Sequence, residues 1–348
     1  DVLAIKQTIY RTGNVSPVMD ALIEAAKNGK EVTVIVELLA RFDEETNISW
    51  AAKLEEVGAH VVYGVVKHKC HAKMIMIVRK ELLPAKGKRK PEYTLKRYVH
   101  LGTGNYHPRT AKLYTDFGLM TSNPAICDDV HKIFMQLTGT SRLIKLKSLW
   151  HSPFTMFDQI VKHIQAEAKA AKLGKPARIV AKVNALLEPS VINELYKASQ
   201  AGVKIDLIVR GVCALKPKVK GLSENIRVRS IVGQFLEHHR IFYFYAHGKE
   251  EVYLSSADWM DRNLFRRIEV AFPILDPELK QKVINEGLNE LLKDDSSWNM
   301  NADGLYKQSA SSSNAKLSGQ QNLLLKYSVI AQPLKKKKDR KSTRLNSS

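Results

Sequence analysis

Only three cysteines, Cys70, Cys127 and Cys213, occur in the 348 residues. They are too few and too scattered for a disulfide framework or for the paired spacing of a zinc site. A cytoplasmic location is therefore expected. No apolar run reaches the ~18 residues that a membrane-spanning helix needs, and no charged-then-apolar segment opens the chain. Spanning and secretion are not indicated, and membrane contact is expected to be at most peripheral, at the inner membrane face. The first residue is Asp1 rather than Met, so the chain is expected to start inside a larger protein.

Acidic residues are also scarce. Against 55 Lys+Arg there are only 35 Asp+Glu, leaving a formal net charge of +20. Part of this lies at the end, where Lys335, Lys336, Lys337, Lys338, Arg340, Lys341 and Arg344 face only Asp339, yet the body remains strongly basic. Such a surface favours a polyanionic partner: nucleic acid, nucleotide, polyphosphate or anionic membrane.

The length predicts two domains, each large enough for its own core. LAIKQTIYR (3–11) reads as a strand and SPVMDALIEAAKNGK (16–30) as a helix capped by Ser16, with Pro17 at its first position and Gly29 at its exit. EVTVIVEL (31–38) reads as a buried strand, AHVVYGVV (59–66) leads into a strand at KHKCHAKMIMIV (67–78), and YVHLGTGN (98–105) gives another. Strands alternating with helices predict an α/β architecture.

The same order returns in RIVAKVNAL (178–186), a helix from about Pro189 to Ala201, KIDLIVRG (204–211), NIRVRSIV (225–232), FLEHHRIFYFY (235–245) and EVYLSSAD (251–258). KHKCHAKMIMI matches FLEHHRIFYFY, and HLGTGNYHPRTAKLYTD matches YLSSADWMDRNLFRRIE. The offset is 167 residues between His71 and His238 but 153 between Asn105 and Asp258, because PAKGKRKPEYTLK (84–96) lengthens a hairpin in the first half. Four segments repeating in order indicate an internal duplication. A linker with a long amphipathic helix ended by Gly174 and Pro176 falls near 140–176. The expected domains are 1–147 and 148–305. From 306 to 348 the chain lacks periodicity and reads as a disordered tail, whose final DRKSTRLNSS looks like cloning or adapter sequence.

In a strand, residues i and i+2 face the same side, so His71 with Lys73 and His238 with Arg240 are expected to project together. Each half thus offers an imidazole beside a fixed cation. An imidazole can attack phosphorus or donate a proton, and the cation can stabilise phosphoryl oxygens. GTGN (102–105) adds glycines where backbone could approach a phosphate, with Asn105 as a donor. A lone strand histidine is usually structural; recurrence in both repeats argues against that here. His239 should point away from His238 and reads as structural, and His68 and His100 carry no functional expectation.

H-x-K followed by G-x-x-N is the half-motif of the phospholipase D superfamily. Together with IYRTGN (9–14), LLARFDE (38–44), HLGTGNYHPRTAKLYTD (100–116), DLIVRG (206–211), FLEHHRI (235–241) and SSADWMDRN (255–263), it resembles the two C-terminal catalytic domains of the polyphosphate kinase family over roughly residues 1–305. The resemblance implies an α/β fold of two tandem phospholipase-D-like domains, and reversible transfer of the ATP γ-phosphate to the end of inorganic polyphosphate. By the same resemblance His71 is the phosphohistidine nucleophile, and Tyr114 and Arg210 bind nucleotide. His238 is implied in nucleotide binding or acid–base work, and Arg11 and Arg41 in the magnesium site. A guanidinium has no lone pair to give a cation, so these arginines are expected to hold phosphate oxygens that in turn hold Mg²⁺. Lys73, Arg11, Arg41 and Arg267 are expected to neutralise phosphoryl oxygens.

The family has further N-terminal domains that contribute a nucleotide contact and much of an oligomer interface. A homo-oligomer is therefore implied for the full-length parent. No sequence-specific nucleic-acid partner is expected, because polyphosphate needs cations along its route rather than base-reading side chains. Two other readings remain: phosphodiester chemistry by a nuclease or phospholipid transferase using His71 and His238, and a non-catalytic polyanion-binding module.

Overall fold

The computed structural model describes residues 1–38, 40, 43–64, 68–83, 92–140, 145–309 and 318–330. Its first half is built from strands β1 (Val2–Ile9), β2 (Glu31–Val36), β3 (His60–Tyr63), β4 (Lys73–Leu82), β5 (Tyr93–Gly102) and β6 (Gly118–Thr121), with helices α1 (Pro17–Lys27), α2 (Glu44–Glu56) and α3 (Pro124–Leu137). The second half has helices α4 (Met156–Lys172) and α5 (Pro189–Gln200), with strands β7 (Arg178–Val183), β8 (Lys204–Val209), β9 (Ile226–Ser230), β10 (Arg240–Phe244), β11 (Glu251–Ser255) and β12 (Arg267–Pro273).

Local chemistry sets these elements. Ser16 caps α1, its hydroxyl accepting from the Met19 N–H, and Pro17 fills the first helical position where no partner is needed. Gly29 leaves the helix with φ +72°, a conformation that disfavours any side chain. On α4, Met156, Ile160 and Ile164 recur every four residues and bury one stripe against the sheet.

The duplication holds in topology. The first sheet runs β3-β2-β1-β4-β5-β6, and the corresponding strands of the second run β9-β8-β7-β10-β11-β12. In each, the first three pair in parallel and the rest antiparallel. Outer cores lie under α1 and α2 in one half and under α4 and α5 in the other. A third core joins the halves: Met74, Met76, Val99, Leu101 and Phe134 pack with Val180, Ile241, Leu254, Val270 and Phe272. Each such side chain contributes ~1.5–3 kcal/mol on burial, so the halves form one body.

Two expectations need correction. The stretch 67–78 is not one strand: Lys69–Cys70 pairs in parallel with Arg267–Ile268 of the other half, and β4 starts only at Lys73. His71 therefore sits at a break, where its own N–H and that of Ala72 both donate to the Ile268 carbonyl. The second half does the same, Leu236–Glu237 pairing with Tyr114–Thr115 just before His238. Nor is the segment from 306 onward structureless. Tyr306–Gln308 pairs with Trp298–Met300, and Gly319–Ile330 is helical. That helix is held by polar anchors rather than by an amphipathic stripe, which is why periodicity missed it: Gly319 N–H donates to Asp294, and the buried Gln320 amide bonds to Phe235 and Glu237. The polybasic run at 335–344 lies outside the described residues.

Candidate active site between the halves

His71 is buried, and its Nδ1 lies 2.9 Å from Oε2 of Glu269, which belongs to β12 of the other half. Glu269 accepts two further bonds, from Ser256 Oγ at 2.5 Å and Asn263 Nδ2 at 2.6 Å. Burial pushes the carboxyl up, but His71, Lys73 and the hydrogen bonds outweigh it and hold Glu269 below its ordinary value. Burial drives the His71 imidazole down to about 3, against the pull of Glu269. The pair is thus a neutral imidazole donating from Nδ1 to a carboxylate, which leaves the lone pair on Nε2.

Around this ring stand Tyr10, edge-on with ring centroids 4.5 Å apart, and Lys73, whose ammonium donates back to the His71 carbonyl. Burial lowers Lys73 to about 7. Arg11 flanks the other side of the group, its guanidinium 5.6 Å from the Tyr10 ring centroid and 3.2 Å from the Asp43 carboxylate. Arg267 lies opposite Lys69 and acts electrostatically on His71. Arg41 lies outside the described residues.

His238 mirrors this arrangement. Its Nδ1 is 2.8 Å from Asp116 of the first half, and the Tyr114 ring centroid is 5.0 Å away. Asp116 and Glu269 occupy matching places at the ends of LYTD and RRIE. Each histidine is therefore oriented by a carboxylate from the opposite half. Thr103 Oγ1 supports Asp116 at 2.6 Å, as Ser256 supports Glu269. Arg210 donates from Nε to Asn184 Oδ1 at 2.7 Å, and Asn184 Nδ2 donates to the His238 carbonyl at 3.0 Å.

Arg240 lies deeper. It makes a two-pronged pair with Asp258, Nε to Oδ1 at 3.1 Å and Nη2 to Oδ2 at 3.0 Å, and its Nη1 is 3.1 Å from His238 Nε2. Burial, Arg240 and Lys73 hold His238 down to about 4 despite Asp116. Lys73 thus belongs to the electrostatic surroundings of both histidines, so the two halves share one site.

Most of the residues expected from sequence cluster here: His71, Lys73, Arg11 and Arg267 on one side, His238, Tyr114 and Arg210 on the other. Asn105 closes the GTGN turn, its Oδ1 buried without a partner. Gly104 of that turn has a packing reason of its own. A Cβ on Gly104 would lie 2.1 Å from Asp116 Oδ2, so glycine makes room for the carboxylate that orients His238. His239 turns to the opposite side, against Phe117 and the Thr115 carbonyl. Sequence reasoning missed Tyr10, Asp116, Asn184, Asp258 and Glu269. The repeated acid closing LYTD and RRIE was a signal for two of them.

The described residues here offer no ready ligand set for a resident metal. Among the described residues no three of His, Cys, Asp and Glu come together to hold an ion, Asp43 already pairs with Arg11, and arginine has no lone pair to offer. No helix among the described residues is long and apolar enough to cross a membrane.

Comparison with known proteins matches residues 1–143 to the family model "Polyphosphate kinase C-terminal domain 1" and residues 149–320 to "Polyphosphate kinase C-terminal domain 2". A polyphosphate kinase of Paraburkholderia phytofirmans is 68% identical over 322 residues, covering 91% of this chain and 46% of that protein. One of Burkholderia cenocepacia is 69% identical over 308 residues, covering 88% and 44%. The chain thus spans about half the length of the curated relatives it matches. Among solved structures, a polyphosphate kinase from Porphyromonas gingivalis superposes with TM-score 0.83 at 36% identity, over 95% of this chain and 49% of that one. A phosphatidylserine synthase of Haemophilus influenzae, at TM-score 0.52 and 11% identity over 94% and 88%, shares the fold alone. The duplicated sheets, the paired H-x-K and H-x-R breaks and these matches converge: this chain belongs to the polyphosphate kinase family, spanning its C-terminal domains 1 and 2.

Proposed function

We propose that this chain, as part of a longer protein, carries out the phosphoryl transfer of a polyphosphate kinase. The observation that carries this reading is the His71–Glu269 pair at 2.9 Å, which presents Nε2 as a neutral nucleophile while an ionised carboxylate waits behind the ring. The Nε2 lone pair attacks the γ-phosphorus of ATP, the bond from that phosphorus to the β-γ bridging oxygen breaks, and ADP leaves. Glu269 stabilises the cationic phosphoimidazole through Nδ1–H. The terminal oxygen of polyphosphate then attacks the same phosphorus and the P–N bond breaks. Each step reverses by the same path.

Lys73, Arg11, Arg41 and Arg267 neutralise the phosphoryl oxygens, and Asn105 donates to them. Tyr114 and Arg210 hold the nucleotide beside the ring of His238. Mg²⁺ arrives with ATP as part of the substrate, bound to phosphate oxygens that the arginines grip. With the division at 1–147 and 148–305, each unit contributes one histidine of the His71/His238 pair. The parent works as a cytoplasmic homo-oligomer with at most peripheral contact at the inner membrane face.

The test is incubation of the protein with γ-labelled ATP and Mg²⁺. The expected product is a label stable to base and lost in acid, as a phosphorus–imidazole bond requires, and absent in His71→Ala. Full labelling of that variant would remove His71 from the reaction. Metal-independent cleavage of a phosphodiester would favour the nuclease reading, and salt-dependent polyphosphate binding without any label the binding-module reading.

A further inference from the structure

The two halves repeat each other in backbone but not in the groups that face the shared site. In the first half Lys73 reaches back to the His71 carbonyl and leaves the ring untouched, and Asn105 brings no charge. In the second half the matching residues are Arg240 and Asp258, and they bind each other. Because arginine can only donate, His238 Nε2 must be the acceptor of the 3.1 Å bond from Arg240 Nη1. The ring proton then sits on Nδ1, donated to Asp116 at 2.8 Å. Both ring nitrogens are committed. The second Nη1 proton goes toward the Thr103 carbonyl at 3.4 Å, and Nε and Nη2 go to Asp258. Arg240 is therefore turned inward as well, with its charge cancelled by a buried carboxylate, and it has little left to offer a phosphate. Asp258 is itself fixed by the Asn184 N–H at 2.7 Å.

We infer that the Arg240–Asp258 pair determines which histidine reacts. It caps the Nε2 lone pair of His238 and withdraws the second half's cation, so that one of two histidines in a duplicated site takes the phosphoryl group. Arg240 and Asp258 act here as positioning residues, through His238. This rests on the phosphotransfer reading for what His71 does, but not for what His238 cannot do.

The test uses phosphoramidate, a small donor from which an imidazole nitrogen takes the phosphoryl group: the new P–N(imidazole) bond forms, the P–N bond to the amine breaks, and ammonia departs with a proton. Modified histidines are mapped by mass spectrometry without acid. In the wild-type chain His71 is expected to be modified, with His238 at least about tenfold less so. In the double variant Arg240→Lys, Asp258→Asn, which copies the first half, modification of His238 should rise to within about threefold of His71. Equal modification of both histidines in the wild-type chain would overturn the inference while leaving the proposed function intact. So would a folded double variant in which His238 stays unreactive. If the wild-type His71 is unreactive while exposed histidines such as His60 and His247 react, the nucleophile assignment falls and the inference with it. Should the double variant fail to fold, Asp258→Asn alone keeps an oxygen for the Asn184 N–H. Its freed Arg240 should shift the imidazole nitrogen resonances of His238, and unchanged resonances would overturn the cap.

Discussion

Gly104 shows how tightly single residues set this site. Its missing side chain is the space that Asp116 fills, so Gly104→Ala must either displace that carboxylate from His238 or shift the turn. Overpacking of this kind costs ~1–3 kcal/mol. The expected outcome is a lower urea midpoint together with altered His238 imidazole resonances; a variant with both unchanged would show that the turn yields freely. Glu269→Gln is the complementary change. The amide cannot stabilise a cationic phosphoimidazole, so labelling of His71 should fall by ~100-fold or more, and a rate within a few-fold of wild type would remove Glu269 from the reaction. At this scale the sequence was informative about residue types, since His71, Lys73, His238 and the arginines stand out by recurrence. It was silent about direction. Spacing along a chain cannot say that Glu269 serves His71 and Asp116 serves His238, because both pairings form only when the halves close on each other.

Among the elements, the helix Gly319–Ile330 departs most from expectation. Its buried Gln320 amide behaves like one residue of an added strand, accepting from the Phe235 N–H at 2.9 Å and donating to the Phe235 carbonyl at 2.9 Å and to Glu237 at 2.6 Å. Glu237 also pairs with the buried Lys182 at 3.1 Å, and Lys182 Nζ donates to the His239 carbonyl at 3.1 Å. Gln320→Ala would leave the half-buried Phe235 N–H and the buried Glu237 carboxylate each short of a partner, a loss of ~1–3 kcal/mol. Truncation at about residue 308 should therefore lower the melting temperature by several degrees, and hydrogen exchange should quicken in the segment leading to His238. An unchanged melting temperature would mean that the helix contributes nothing to the body. Composition could not reveal this docking, because it rests on one glutamine rather than on a repeating apolar stripe. By contrast α1, with its Ser16 cap and apolar face, was readable almost to its ends, and the succession β7–β11 was read from the repeat, while β12 was not. The strand breaks at His71 and His238 were hidden, since the partners that interrupt them come from the far half.

For the whole molecule, burial of histidines predicts an unusual acid response. Burial lowers His71 and His239 to about 3 and His151 and His238 to about 4, from an ordinary value of 6.5. As pH falls below 6.5, the unfolded chain takes up protons that the folded one refuses, so stability declines by about 1.4 kcal/mol per pH unit for each such group. Asp258 and Glu237 behave differently. Burial raises each, but Arg240 and Lys182 respectively outweigh it and bring both to about 2, so their contribution is present above their ordinary values of 3.8 and 4.5 and lost only below. Urea midpoints should accordingly fall between pH 6.5 and 5, before the carboxylates titrate. A flat profile in that window would show that these rings accept protons while folded.

The crossing of the two carboxylates has a consequence for how such a protein is made. A ribosome delivers the first half complete while the second is still unwritten, and at that moment His71 has no Glu269 behind it. The acid arrives only with β12, whose first residues pair beside Lys69–Cys70. A chain cut short before β12 lacks the carboxylate that fixes His71 Nδ1, so the orientation of that ring is a property of the finished pair and of neither repeat alone.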